Sequence, residues 1–258
     1  MSQPNAHSIL PNRAAMAEEL RRLLPKIQGF HKAKPLPFGI PAIDHCLPQG
    51  GLPGGALHEI VPAGGSASAA FGFMVALLAR VARSHPIVFV LPTYGLRHNG
   101  RPYGHGIRAL GLDPNRLILV GTAHRKQTLW ALEEALRARA VAAVAGVIDK
   151  LDLKSSLRLQ LAATDAGVPL FLLRPADILE ASAAATRWRV ASAPAVRDRF
   201  GLIAHARWQL MLERCRNGRA GEWIVEYDHV THCFSLAAAL ADPADARGTS
   251  EKSFQRAG

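Results

Sequence analysis

The dipeptide Gly-Lys occurs nowhere in these 258 residues. A working phosphate loop of the form G-x-x-x-x-G-K-[ST] is therefore missing, and with it the lysine that neutralises bound phosphate. Cysteine is scarce: Cys46, Cys215 and Cys233 are odd in number and unrelated in spacing. They exclude a disulfide framework and fit a reducing interior. No apolar run reaches spanning length, because Arg80, Arg83 and similar residues interrupt every candidate. Glu18, Glu19, Arg21 and Arg22 stand where a signal peptide would need an apolar stretch. A soluble, cytoplasmic protein is expected, with no membrane contact. Acid is short too, at 20 Asp+Glu against 31 Lys+Arg, giving a net charge of +11 and a pI near 10.3. The few carboxylates are too scattered for an acidic face. The balance suggests a polyanion or an acidic protein surface as partner, although Arg- and Ala-rich chains from GC-rich genomes are basic without functional cause.

What is present describes a globular protein. Hydrophobic residues make up 49% and charged residues 20%, enough for a sizeable core. "NRAAMAEELRRLL" predicts a helix over Asn12–Leu24, with Asn12 as N-cap and Pro25 as stop. "QGFHKAKPLPFG" reads as a basic linker broken by Pro and Gly. Short apolar runs follow at 56–61, 87–91, 117–120, 143–148 and 170–173. Continuous runs, rather than alternation, are what strands buried on both faces require. Between them lie helical stretches at 69–83, 127–139 and 155–166, the last ending before Gly167 as a C-cap. Strand–helix alternation with short connections predicts an α/β fold with a mostly parallel sheet and right-handed crossovers. "TRWRVAS", "RWQLMLERCR" and "EWIVEYD" alternate instead, and "NGRAG" joins the last two as a hairpin loop. They predict antiparallel strands added at the C-terminal end. No internal repeat is found. The expected division is a helix and linker over 1–35, one domain over 36–240, and a tail over 241–258 with the composition of a disordered segment.

The segment "HEIVPAGGSASAAFGFMVALLARV" has the layout of a phosphate-binding unit: apolar strand, Gly/Ser-rich loop, helix. Gly64, Gly65 and the helix start near Ala69 could still offer N–H donors and a dipole. The cation and the metal-holding hydroxyl are gone. Each charge-assisted bond is worth about 1.5–3 kcal/mol, so losing two would weaken ATP binding by roughly 10²–10⁴-fold. A strand-to-helix turn kept for packing is the competing reading, and the two remain open at this point.

"FGIPAIDHCLPQGGLPGGALHEI", Phe38 to Ile60, resembles the segment leading into the ATP loop of RecA-type recombinases. Gly39, Ile43, Asp44, Gly50, Gly51, Leu52, Pro53, Gly54, Glu59 and Ile60 carry the likeness, which runs on through "GIRALGLDPNRLILV" and "QTLWALEEALR" to a strand ending in Asp149. It covers roughly Phe38 to Tyr227. Within that superfamily the chain most resembles the ImuA family, RecA-like proteins of bacterial inducible-mutagenesis cassettes, with "RWRVASAP" and "RWQLMLERCRNGRAGEW" belonging to that picture. The resemblance implies a RecA-like fold. It also implies a role in SOS-induced translesion synthesis. The implied partners are a polymerase-like ImuB protein and an error-prone C-family DNA polymerase, with RecA as a further candidate.

Against the RecA pattern, the Gly-Lys-Thr positions fall on Ala67, Ser68 and Ala69, and the catalytic Glu falls near Thr93. The Asp closing the metal-binding strand is matched by Asp149, and the sensor Gln falls near Arg174. The resemblance thus implies a degenerate nucleotide loop, Gly64, Gly65, Ser66, Ala67, Ser68 and Ala69 with Asp149, and neither catalysis nor a cofactor. The stretches matching the RecA DNA loops, "KLDLKS" and "RPADILEASAAAT", are short and poor in base. Basic residues gather instead at Arg187, Arg189, Arg197, Arg199, Arg207, Arg214, Arg216 and Arg219, with Trp188, Trp208 and Trp223 interleaved. Such a pattern is either a stacking and phosphate-binding face for DNA or a partner, or core tryptophans beneath a solvated arginine face.

"HVTHC", with His229, His232 and Cys233, lacks a second cluster to complete a metal site. "GHGIRA" imitates a dinucleotide fingerprint but follows a loop, not a strand. The leading expectation is a non-catalytic adaptor, its Asn12–Leu24 helix placed to dock on another copy or on a partner. Self-association stays open. The alternatives are a DNA-dependent ATPase and a cell-division inhibitor of the SulA kind.

Overall fold

The computed structural model describes residues 33–81, 85–93, 101–178, 180–195, 200 and 205–237. The expected N-terminal helix, the tail, Arg197 and Arg199 lie outside the described residues.

Among the described residues, one nine-stranded sheet organises the fold: β1 (Leu57–Pro62), β2 (Ile87–Pro92), β3 (Leu117–Thr122), β4 (Ala143–Val147), β5 (Leu170–Leu173), β6 (Thr186–Ser192), β7 (Ala206–Cys215), β8 (Gly221–Tyr227) and β9 (Phe234–Leu236). In space they run β3-β2-β4-β5-β1-β6-β7-β8-β9. From β3 to β6 every neighbouring pair is parallel, and from β6 to β9 every pair is antiparallel. This is the α/β architecture of a RecA-like core, with antiparallel strands at its C-terminal end. One boundary differs from expectation. "TRWRVAS" pairs in parallel with β1 and so closes the parallel half. Its alternating burial arises because one face of β6 meets the core and the other does not, whatever the direction of pairing.

The helices divide between the two faces. Among the described residues the α-helices are α1 (Pro41–Asp44), α2 (Ala67–Arg80), α3 (Gly104–Ala109), α4 (Arg125–Arg137) and α5 (Leu153–Ala166). α2 is apolar nearly all round and is buried over Ala69, Ala70 and Gly72–Ala79. It packs with Ile60, Phe89 and Phe171 on one face of the sheet. α4 and α5 cover the other face through Leu132, Leu136, Leu159 and Ala163. α5 starts where Asp152 accepts the Ser155 N–H (2.8 Å) and ends at Gly167, whose φ of +69° is the left-handed cap expected there. β3 departs from expectation. Its apolar run suggested burial on both faces, yet it is an edge strand with Ile118 48% and Leu119 52% exposed.

The residues that carry the RecA likeness earn their places structurally. Both oxygens of Asp44 accept backbone N–H groups, Phe38 at 2.7 Å and Gly39 at 2.9 Å. They fold the lead-in around Gly39, whose φ is +76°. A Cβ on Gly51 would stand 2.8 Å from the Leu36 carbonyl carbon. The segment is thereby laid onto the core with Phe38, Ile43 and Leu52 buried.

Around Phe73 of α2 the rings of Phe38, Trp188, Trp208 and Phe234 gather, each with its centroid 6.0–6.1 Å away. This cluster joins the parallel half to the antiparallel half. Phe73→Ala is expected to cost about 3–5 kcal/mol. The effect would be read as a lower urea midpoint with an unchanged slope.

Candidate functional site at the strand ends

The loop from β1 to α2 is short, residues 63–66. Its backbone is tied to β6: the Ala63 N–H donates to Val190 O (2.8 Å) and the Ser192 N–H to Ser66 Oγ (3.4 Å). The Ser66 N–H turns back to Ala63 O (3.1 Å). Two loop donors that could have faced an anion are thus spent on protein carbonyls. Gly64, Gly65, Ala67 and Ser68 are exposed, while Ala69 is buried under the first turn of α2. Thr93 uses both its N–H (2.8 Å) and its hydroxyl (3.0 Å) on Thr122 O. Asp149 is exposed at the end of β4.

The chemistry beside this loop lies in a buried ion cluster. Glu59 of β1 is wholly inaccessible. The Arg187 guanidinium from β6 donates through Nε to its Oε2 (2.9 Å). Arg174, just past β5 and also buried, sets its Nε 3.4 Å from Glu59 Oε1, within ion-pair range though outside hydrogen-bond geometry. Its Nη1 donates to Ile148 O (3.0 Å) and Asp149 O (3.1 Å), and its Nη2 to Glu180 Oε2 (3.1 Å). Burial pulls the Arg174 pKa below the ordinary arginine value, and Glu59 and Glu180 push it back. The sensor-position residue thus points its donors at its own protein.

Next along β1, His58 is fully buried against the Phe171 ring (5.2 Å). Its Nε2 lies 2.9 Å from Pro53 O, which can only accept, so Nε2 carries the proton. Nδ1 then accepts from Thr186 Oγ1 (2.9 Å), which accepts in turn from Trp188 Nε1 (3.1 Å). Burial pushes the His58 pKa down from 6.5 to about 4. Sequence reasoning passed over His58 and over the ionic role of Glu59. The available signal was two adjacent titratable residues inside the buried run "ALHEIV".

The arginines and tryptophans do not share a face. Trp188 and Trp208 point into the core against Phe73, and Trp223 packs at its edge. Arg187, Arg189 and Arg207 alternate with them and face the other way. There they meet carboxylates: Arg187 pairs with Glu59, Arg189 with Glu213 and Arg207 with Glu226. Arg214 and Arg216 donate to the carbonyls of Ser182 and Ala183, and Arg219 is exposed on the hairpin. Trp188 and Trp208 thus belong to the core, and Arg187, Arg189 and Arg207 are paired with carboxylates on the other face. Among the described residues no three His, Cys, Asp or Glu come together as metal ligands, and no helix is long and apolar enough to cross a membrane.

Two predictions follow from the cluster and its neighbour. Arg174→Gln leaves Glu59 half-compensated and is expected to cost about 3 kcal/mol. Adding Glu59→Gln should cost less than the sum of the single changes in a urea-unfolding cycle. For His58, folded and unfolded states are both neutral above pH 6.5, so its contribution is complete there. Between 6.5 and about 4 the unfolded chain takes up a proton that the folded chain refuses, and about 3 kcal/mol is lost. An NMR titration should find the ring neutral at pH 5; a midpoint near 6.5 would contradict the burial argument.

No protein-family model matches the chain. Two curated proteins do, both Protein ImuA of Caulobacter vibrioides, from strains NA1000 / CB15N and ATCC 19089 / CIP 103742 / CB 15. Each is 37% identical over 227 residues, covering 80% of this chain and 90% of its own length. With the RecA-like sheet and the lead-in around Asp44 in place, that identity shows that the chain belongs to the ImuA family.

Proposed function

We propose that this protein is a non-catalytic, RecA-like accessory factor of damage-inducible, error-prone translesion synthesis. It acts as an adaptor for a polymerase-like ImuB protein and an error-prone C-family DNA polymerase. Membership of the ImuA family supports the mutagenesis role. The observation that carries the adaptor reading is the state of Arg174. At the sensor position its guanidinium is committed to Glu59, Glu180 and the carbonyls of Ile148 and Asp149, and the loop beside it offers Ala67, Ser68 and Ala69 where a working site needs Lys and a hydroxyl. A fold of this kind still offers edges, helix faces and a paired-charge sheet for docking, none of which requires nucleotide.

The reading predicts that the protein co-purifies with a co-expressed ImuB partner from apyrase-treated extract as fully as from untreated extract. It also predicts no ATP turnover above background with single-stranded DNA present. Loss of the complex on nucleotide depletion, or DNA-stimulated turnover, would overturn it.

A further inference from the structure

α5 is apolar on two sides. Its inner side, with Leu159 and Ala163, is buried against the sheet. On its outer side Leu153, Leu157 and Leu161 are 47%, 45% and 66% exposed. At intervals of four residues they form one line along the helix. Isolated surface leucines are ordinary, but a line of three on one helix is the pattern of a docking face.

The position of the chain's N-terminal arm says what covers that line. Thr164 continues the same flank of α5, three residues beyond Leu161, and its hydroxyl donates to Gly55 O (3.0 Å). Directly there lies Ala33, the first described residue. A Cβ built on Gly54 would stand 2.8 Å from Ala33 Cβ, and one on Gly167 would stand 3.9 Å from it. The described chain therefore begins at Ala33, beside the last turn of α5 and on the flank that carries the leucines.

Those residues contain a matching partner. In the expected Asn12–Leu24 helix, Met16, Leu20, Leu23 and Leu24 share one face, while Glu18, Arg21 and Arg22 lie opposite. Thirteen helical residues span roughly 20 Å, close to the roughly 21 Å of α5. The connecting residues 25–32 reach roughly 26 Å when extended, enough for the segment to double back along α5. We propose that residues 12–24 lie in cis along the Leu153–Leu157–Leu161 line of α5, burying it under Met16, Leu20, Leu23 and Leu24. This inference stands apart from the nucleotide question and from the choice of polymerase partner.

A photo-crosslinking amino acid at position 157 of the full chain tests it, since that side chain is exposed and its replacement leaves the core untouched. Labelled and unlabelled chains are mixed before irradiation, and the crosslinked peptides are identified by mass. The expected product joins position 157 to residues 12–24 within chains of one isotope, and Leu20→Glu with Leu24→Glu abolishes it. Products joining only chains of different isotope would assign the face to a second copy and overturn the proposal. So would linkage to any other segment, or no linkage at all.

Discussion

A carboxylate can sit in the middle of a sheet only if cations meet it there, since an unpaired buried charge costs several kcal/mol. Glu59 is such a carboxylate, and most of the arrangement at the strand ends follows from satisfying it. It draws Arg187 from β6 on one side and Arg174 from the end of β5 on the other. Arg174 in turn reaches the carbonyls of Ile148 and Asp149, just past β4, and the Glu180 side chain. One buried charge thus ties β1 to segments at 148–149 and 174–187 that lie far from it along the chain. It does so inside the sheet, beside the strand where the parallel half meets the antiparallel half.

The same strand ends are where a RecA-type protein would grip its nucleotide, and here the loop and the ion cluster divide the ground between them. The loop keeps the strand–turn–helix outline, but β6 takes up the Ala63 N–H through Val190 O and the Ser66 hydroxyl through the Ser192 N–H. Arg174, just past the strand beside β1, is neutralised from within. We read the cluster as an internal stand-in for ligand charge. On the proposed function, that leaves the fold available as a docking platform.

Much of this was legible in the residues, and the failures have physical causes. The parallel strands announced themselves as continuous apolar runs, and Gly167 announced the end of α5. The run Leu117–Val120 predicts a strand buried on both faces, because an apolar run does not reveal that its strand lies at an edge. The alternation in Thr186–Ser192 groups it with the antiparallel strands, because alternation reports a half-covered face, which either pairing direction can produce. The Arg–Trp alternation at 187–189 already implied opposite faces, since neighbours in a strand point opposite ways; only the glutamates that meet those arginines required the fold. Arg174 was noticed as a sensor-position residue. Its neutralisation could not be read, because Glu59 lies 115 residues away along the chain and the contact exists only once β1 and β5 are paired.

The central claim is that internal charge has replaced ligand charge at these strand ends. A calorimetric titration of Mg·ATP into the purified protein, with single-stranded DNA present and then absent, tests it most directly. The account predicts no binding heat in either case. Saturable binding at micromolar concentration would show that the backbone cradle at Gly64 and Gly65 still works without its lysine, and a nucleotide-gated switch would have to replace the platform described above.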